Sequence, residues 1–98
     1  MYIILLSYKA DLTEVDKHLP GHLQYLKKNQ KRGAFICSGP RDPRMGGVIL
    51  CRSESEEAVR AIVAEDPFIS SGVADYELIN FRAVDCAEGY EAFLDNLK

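Results

Sequence analysis

The first strand-like segment of the chain is apolar on both of its faces. In Tyr2-Ile3-Ile4-Leu5-Leu6-Ser7-Tyr8, one alternating phase holds Tyr2, Ile4 and Leu6, and the other holds Ile3 and Leu5. A strand with one wet face would alternate with polar residues, so both faces of this one demand cover. That demand is hard to meet in 98 residues. A chain this short buries only about 60–65% of the surface it exposes when unfolded, and ordering it costs on the order of 100–200 kcal/mol of conformational entropy. Association with a second copy is therefore expected. The same run lacks the basic flank and small-residue cleavage site of a secretory signal. No apolar stretch approaches the roughly 20 residues that span a bilayer, so no membrane role is expected.

The rest of the chain punctuates itself. Asp11 to Asp16 is polar, with Thr13 as a candidate helix cap. A helix follows over about Leu19 to Lys31, with Pro20 admitted to its first turn and Gly33 at its end. Ala34 to Cys37 reads as a second strand, Ser38 to Gly47 as a Gly/Pro loop, and Val48 to Cys51 as a third strand. Ser53 with Glu56 spells a capping box, and Ala58, Val59, Ile62 and Val63 give the stripe of a second helix. That helix stops before Asp66-Pro67. Phe68 to Ala74 reads as a loop and Tyr76 to Val84 as a fourth strand. Tyr90, Phe93, Leu94 and Leu97 predict a short amphipathic C-terminal helix.

The order β-α-β-β-α-β-α predicts an α+β, ferredoxin-like βαββαβ fold: a four-stranded antiparallel sheet with an extra C-terminal helix. One domain fills residues 1–98, with a core over 1–84 and a helical extension over 85–98. Two helices would cover one face of the sheet. The other face would expose an apolar patch larger than monomers usually carry, which predicts a sheet-against-sheet homodimer. The alternative is a monomer whose C-terminal helix folds over that face.

Charge narrows the function. Twelve Lys and Arg against fifteen Asp and Glu leave a net charge of −3, without the basic stripe of a nucleic-acid binder. The one basic cluster, Lys27, Lys28, Lys31 and Arg32, sits where it complements a helix C-terminus. Cys37, Cys51 and Cys86 are odd in number and widely spaced, which predicts reduced thiols in a cytoplasmic protein rather than a disulfide framework.

His22 is the most informative residue. On a helix it shares a face with Leu19 and Leu26 and points toward the sheet, either as a hydrogen-bonded core histidine or as a proton-transfer group. Its acidic partner would be Asp66, which otherwise reads as a helix-end cap before Pro67, or Asp42 in the Gly/Pro loop. His18 lies one turn before His22, but Pro20 disturbs the helix between them and no third ligand is evident, so no metal is expected. Ser38, Arg41 and Arg44 flank the loop, where an arginine would suit a carboxylate ligand or a surface ion pair. No phosphate-binding glycine motif is present, and no cofactor is expected.

His18-Leu19-Pro20-Gly21-His22-Leu23-Gln24-Tyr25-Leu26 resembles the R/H-x-x-x-H-x-x-(Y/F)-L signature of the YciI-like (YCII-related) family. Gly33 with Ser38-Gly39-Pro40, and Glu57-Ala58 with Asp66-Pro67-Phe68, fall where that family has its other blocks. The resemblance spans about residues 1–84. It implies a dimeric α/β barrel and a histidine–aspartate pair in a cleft, which maps onto His22 and Asp66. Ser38 would line the cleft, and Asp42 stands near an acidic position of the family loop; a substrate anion or enolate would be held by Arg41 or by backbone N–H groups near Ser38. The function implied is a cofactor-independent isomerase or lyase, including dehydrochlorination, acting on a small aromatic or lactone-like molecule. The alternative is a non-catalytic small-molecule-binding protein on the same scaffold.

Overall fold

Among the described residues, 1–95 of this computed structural model, the chain runs β1 (Tyr2–Tyr8), α1 (Leu12–Lys17), α2 (Leu19–Lys31), β2 (Phe35–Pro40) and β3 (Gly46–Cys51). It continues through α3 (Glu56–Ala64), α4 (Pro67–Ser70) and β4 (Ala74–Asn80) to a 3-10 turn at Glu91–Phe93. The sheet order is β2-β3-β1-β4, with every neighbouring pair antiparallel. This is the ferredoxin-like α+β arrangement. The doubly apolar β1 takes a central place, flanked by β3 and β4.

One face of the sheet is packed. Tyr2, Ile4 and Leu6 of β1 meet Ile49 and Cys51 of β3, and Tyr25 of α2 and Val59 and Val63 of α3 close over them. The Tyr25 hydroxyl donates to the Ile62 carbonyl at 2.8 Å and so ties α2 to α3. Burial raises that phenol far above its ordinary value, which keeps it a neutral donor. The opposite face carries the other phase: Ile3 lies across from Leu50 and Ile79, and Leu5 across from Val48. Val48 and Ile79 are 36% and 43% exposed.

Several boundaries differ from the sequence reading. Asp11, not Thr13, caps α1, and its carboxylate accepts from the Glu14 amide at 3.0 Å. The expected Gly/Pro loop contracts because β2 runs on through Ser38-Gly39-Pro40. β2 is an edge strand, so Pro40 forfeits no ladder bond on its outer side. β3 begins early, at Gly46, where a Cβ would lie 1.8 Å from the Leu6 carbonyl oxygen. Only glycine fits there. The segment after Pro67 forms α4 rather than a loop, capped by the Asp66 side chain.

β4 starts and ends earlier than expected. The C-terminal helix is not formed over the described residues, where one 3-10 turn stands instead, and Leu97 lies outside them. Leu94, extended at ψ 145°, ends that turn. Asp95 then turns back to the segment that follows β4: its carboxylate accepts from the Ala83 amide at 2.7 Å, and its own amide donates to the Ala83 carbonyl at 2.8 Å.

Candidate active site

The site begins with a close approach of two helices. At Gly21 of α2, a Cβ would stand 3.3 Å from the Pro67 ring, so glycine lets the start of α4 press against α2. The next residue is His22, and the residue capping α4 is Asp66. Asp66 Oδ1 accepts from the Phe68 amide at 2.9 Å and from His22 Nδ1 at 2.8 Å. One carboxylate oxygen thus starts a helix and holds an imidazole. The Phe68 ring in turn stacks on His22 at 3.9 Å between centroids and 11° between planes, with Tyr8 edge-on to Phe68 at 5.7 Å. Asp-Pro-Phe therefore supplies an acceptor, a helix start and a stacking plate in three consecutive residues.

This packing fixes the chemistry of the ring. His22 is 8% and Asp66 1% exposed. A carboxylate accepts, so Nδ1 carries the hydrogen and the bare nitrogen of the neutral ring is Nε2. The other carboxylate oxygen, Oδ2, is buried without a partner among the described residues.

His22 lines a cavity of about 510 Å³ between α2 and the β2–β3 hairpin. Leu19, Leu23 and Leu26 form the helix wall, Leu6 and Ile49 belong to the sheet beneath, and Tyr8 and Phe68 stand at the histidine end. Pro40 and Ser38 line the strand side; Lys27, Gln30 and Arg44 are the other polar lining residues.

Of the residues singled out from the sequence, the structure brings His22 and Asp66 into direct contact and places Ser38 on the cavity wall. It does not bring Arg41 or Asp42 there. Alternation along β2 turns Arg41 to the helix-free face, where its guanidinium donates to Ser7 Oγ at 3.2 Å. Asp42 is exposed in the turn after β2. Arg44 does line the cavity, paired with Asp16 at 2.6 Å and lying 5.8 Å from the centre of the Tyr8 ring. His18 occupies the junction of α1 and α2 and makes no capping bond with its side chain. The sequence reading missed Phe68 and Lys27. Phe68 was signalled by its fixed place after Asp-Pro, and Lys27 by its place eight residues after Leu19 on the same helix.

The model of a family described as YCII-related domain matches residues 1–82. No curated protein matches the chain by sequence. Among solved structures, it is similar to 5-chloro-2-hydroxyhydroquinone dehydrochlorinase from Burkholderia phenoliruptrix AC1100, in complex with 2,5-dihydroxybenzoquinone. The identity is 20%, the match covers 86% of this chain and 96% of that one, and the TM-score is 0.68.

Proposed function

The chain belongs to the family of YCII-related domains, and from that premise we propose that it is a cofactor-independent enzyme carrying out acid–base chemistry on a small ring molecule. The observation that carries this reading is the 2.8 Å bond from His22 Nδ1 to the buried Asp66, made at the wall of an apolar cavity. Simple apolar binding has no use for an oriented imidazole, which favours an enzyme over a passive binding protein. Nε2 removes a proton from an acidic carbon or hydroxyl of the ligand. The electron pair moves into the ring system, and Asp66 compensates the charge left on His22.

Isomerisation follows if the imidazolium returns the proton at another atom. Elimination follows if a leaving group departs instead: with chloride as that group, the proton and the chloride leave together as hydrogen chloride. The solved relative named above is a dehydrochlorinase, which supports including that outcome. A donor that lines the cavity and suits a developing enolate oxygen is the Ser38 hydroxyl. Its role here replaces that of Arg41, which points elsewhere.

The helix-free sheet face is proposed to pair with a second copy, which would cover Ile3, Leu5 and Leu50 from both sides. Turnover of a panel of chlorinated hydroxyhydroquinones and five-membered lactones, followed by chloride release and absorbance, tests the catalytic reading. Wild type is expected to consume at least one class, while His22→Ala and Asp66→Asn, folded by circular dichroism, lose the activity. Turnover that survives both substitutions overturns the assignment.

A further inference from the structure

The cavity and the rest of the protein differ in sign. The chain as a whole is acidic, at −3. The cavity wall holds Lys27 and Arg44 and, among the described residues, not one aspartate or glutamate. Asp66 stands behind His22 and has its accepting oxygen turned to that ring and to the Phe68 amide.

The two cations are not equivalent. Arg44 is held by Asp16 at 2.6 Å, and part of its charge is spent there. Lys27 forms no ion pair among the described residues, unlike its neighbour Lys28, which lies 3.6 Å from Glu65. A lysine left unpaired at the edge of a low-dielectric, leucine-walled pocket is a site for an anion rather than a helix-end ornament.

Resting on the reading of this cavity as the substrate site, we propose that Lys27 is its anion-recognising residue and that the ligand class is amphipathic carboxylates or phenolates. The ligand lays a flat apolar ring against Leu23 and Leu26 and directs its acidic group to Lys27. Lys27 stands five positions after His22, about 7.5 Å further along the helix axis and about 140° around it. The acidic group therefore points to the cavity rim, away from the buried ring that offers Nε2. Arg44 flanks the opposite end beside Tyr8 and Phe68, where it adds to the positive potential without being the primary contact.

The probe is 2-naphthoate against its neutral isostere 2-naphthamide, with affinities read by isothermal titration calorimetry at low salt. Wild type is expected to bind the carboxylate about tenfold more tightly than the amide, the preference falling as salt rises. Lys27→Met, an exposed substitution with no ion pair to break among the described residues, brings the ratio to within about twofold and leaves affinity for the amide unchanged. His22→Gln retains the anion preference. Failure of the catalytic reading is therefore separable from failure of this one: a cavity that selects anions yet turns none over retains the proposal. Equal affinity of wild type for the two probes, binding of neither, or a tenfold ratio that persists in Lys27→Met overturns it.

Discussion

Asp66 performs two tasks with one oxygen, so different substitutions there separate them. Asp66→Asn keeps a side-chain oxygen able to cap α4 but removes the charge and the obligate acceptor. It is expected to lower turnover about 10²–10⁴-fold while moving stability by less than about 1 kcal/mol. Asp66→Ala also removes the cap and strands the buried His22 Nδ1–H, and is expected to cost about 2–4 kcal/mol by urea denaturation. Phe68→Leu keeps the apolar volume and loses the stacked plate. The expected result is a His22 ring signal broadened or displaced in NMR spectra, with the fold intact. At this scale the residues alone left the partner of His22 as Asp66 or Asp42, and the family resemblance mapped the pair onto His22 and Asp66. The sequence reading favoured Arg41 over Arg44 as the holder of an anion, whereas Arg44 is the one that lines the cavity. Which of two arginines three positions apart faces the cavity depends on strand alternation continuing through Pro40, and the composition of that segment argues for a loop.

Elements carry their own consequences. Gly46→Ala places a Cβ where the Leu6 carbonyl already stands, so β1 and β3 must separate, at an expected cost of about 3 kcal/mol in a melting experiment. The returning tail is tied by Asp95, whose carboxyl is held below the ordinary carboxylate range chiefly by the Ala83 amide, with the chain's amino group adding to it. A lowered folded-state value means the tie is at full strength above the ordinary carboxylate range and is lost as pH falls through it toward the folded value. Protection of the Ala83 amide in hydrogen exchange, corrected for intrinsic rates, is expected to fall in acid and to be absent in Asp95→Ala at neutral pH. Strand and helix identity were legible in the sequence wherever period and apolar content agreed, as in β1, α2 and α3. They were misleading where a tertiary partner decided the outcome. α4 exists because Asp66 caps it against α2, and the tail follows the attachment of the Asp95 carboxylate to Ala83 and the chain's amino group rather than its own helical periodicity.

For the molecule as a whole, the doubly apolar β1 sets a requirement that one layer of helices meets only on one side. The helices cover Tyr2, Ile4 and Leu6; Ile3 and Leu5 look to the bare face. A homodimer through that face is expected to give a light-scattering mass near twice 11.0 kDa and a melting temperature that rises with protein concentration. Leu5→Glu is expected to yield a monomer. Because the cavity lies on the helical side of the sheet, the His22–Asp66 bond is expected to survive in that variant.

The central claim is that Asp66 holds His22 with Nδ1 protonated and presents Nε2 to the cavity as the group that takes the proton. Nitrogen-15 NMR of the labelled His22 ring reads this directly. The neutral ring is expected to show the Nδ1–H tautomer, with a bare Nε2 whose shift responds to a ligand entering the cavity, and Asp66→Asn is expected to weaken that tautomeric bias. An Nε2–H tautomer in the wild type, or an Nε2 signal indifferent to every bound ligand, contradicts the account.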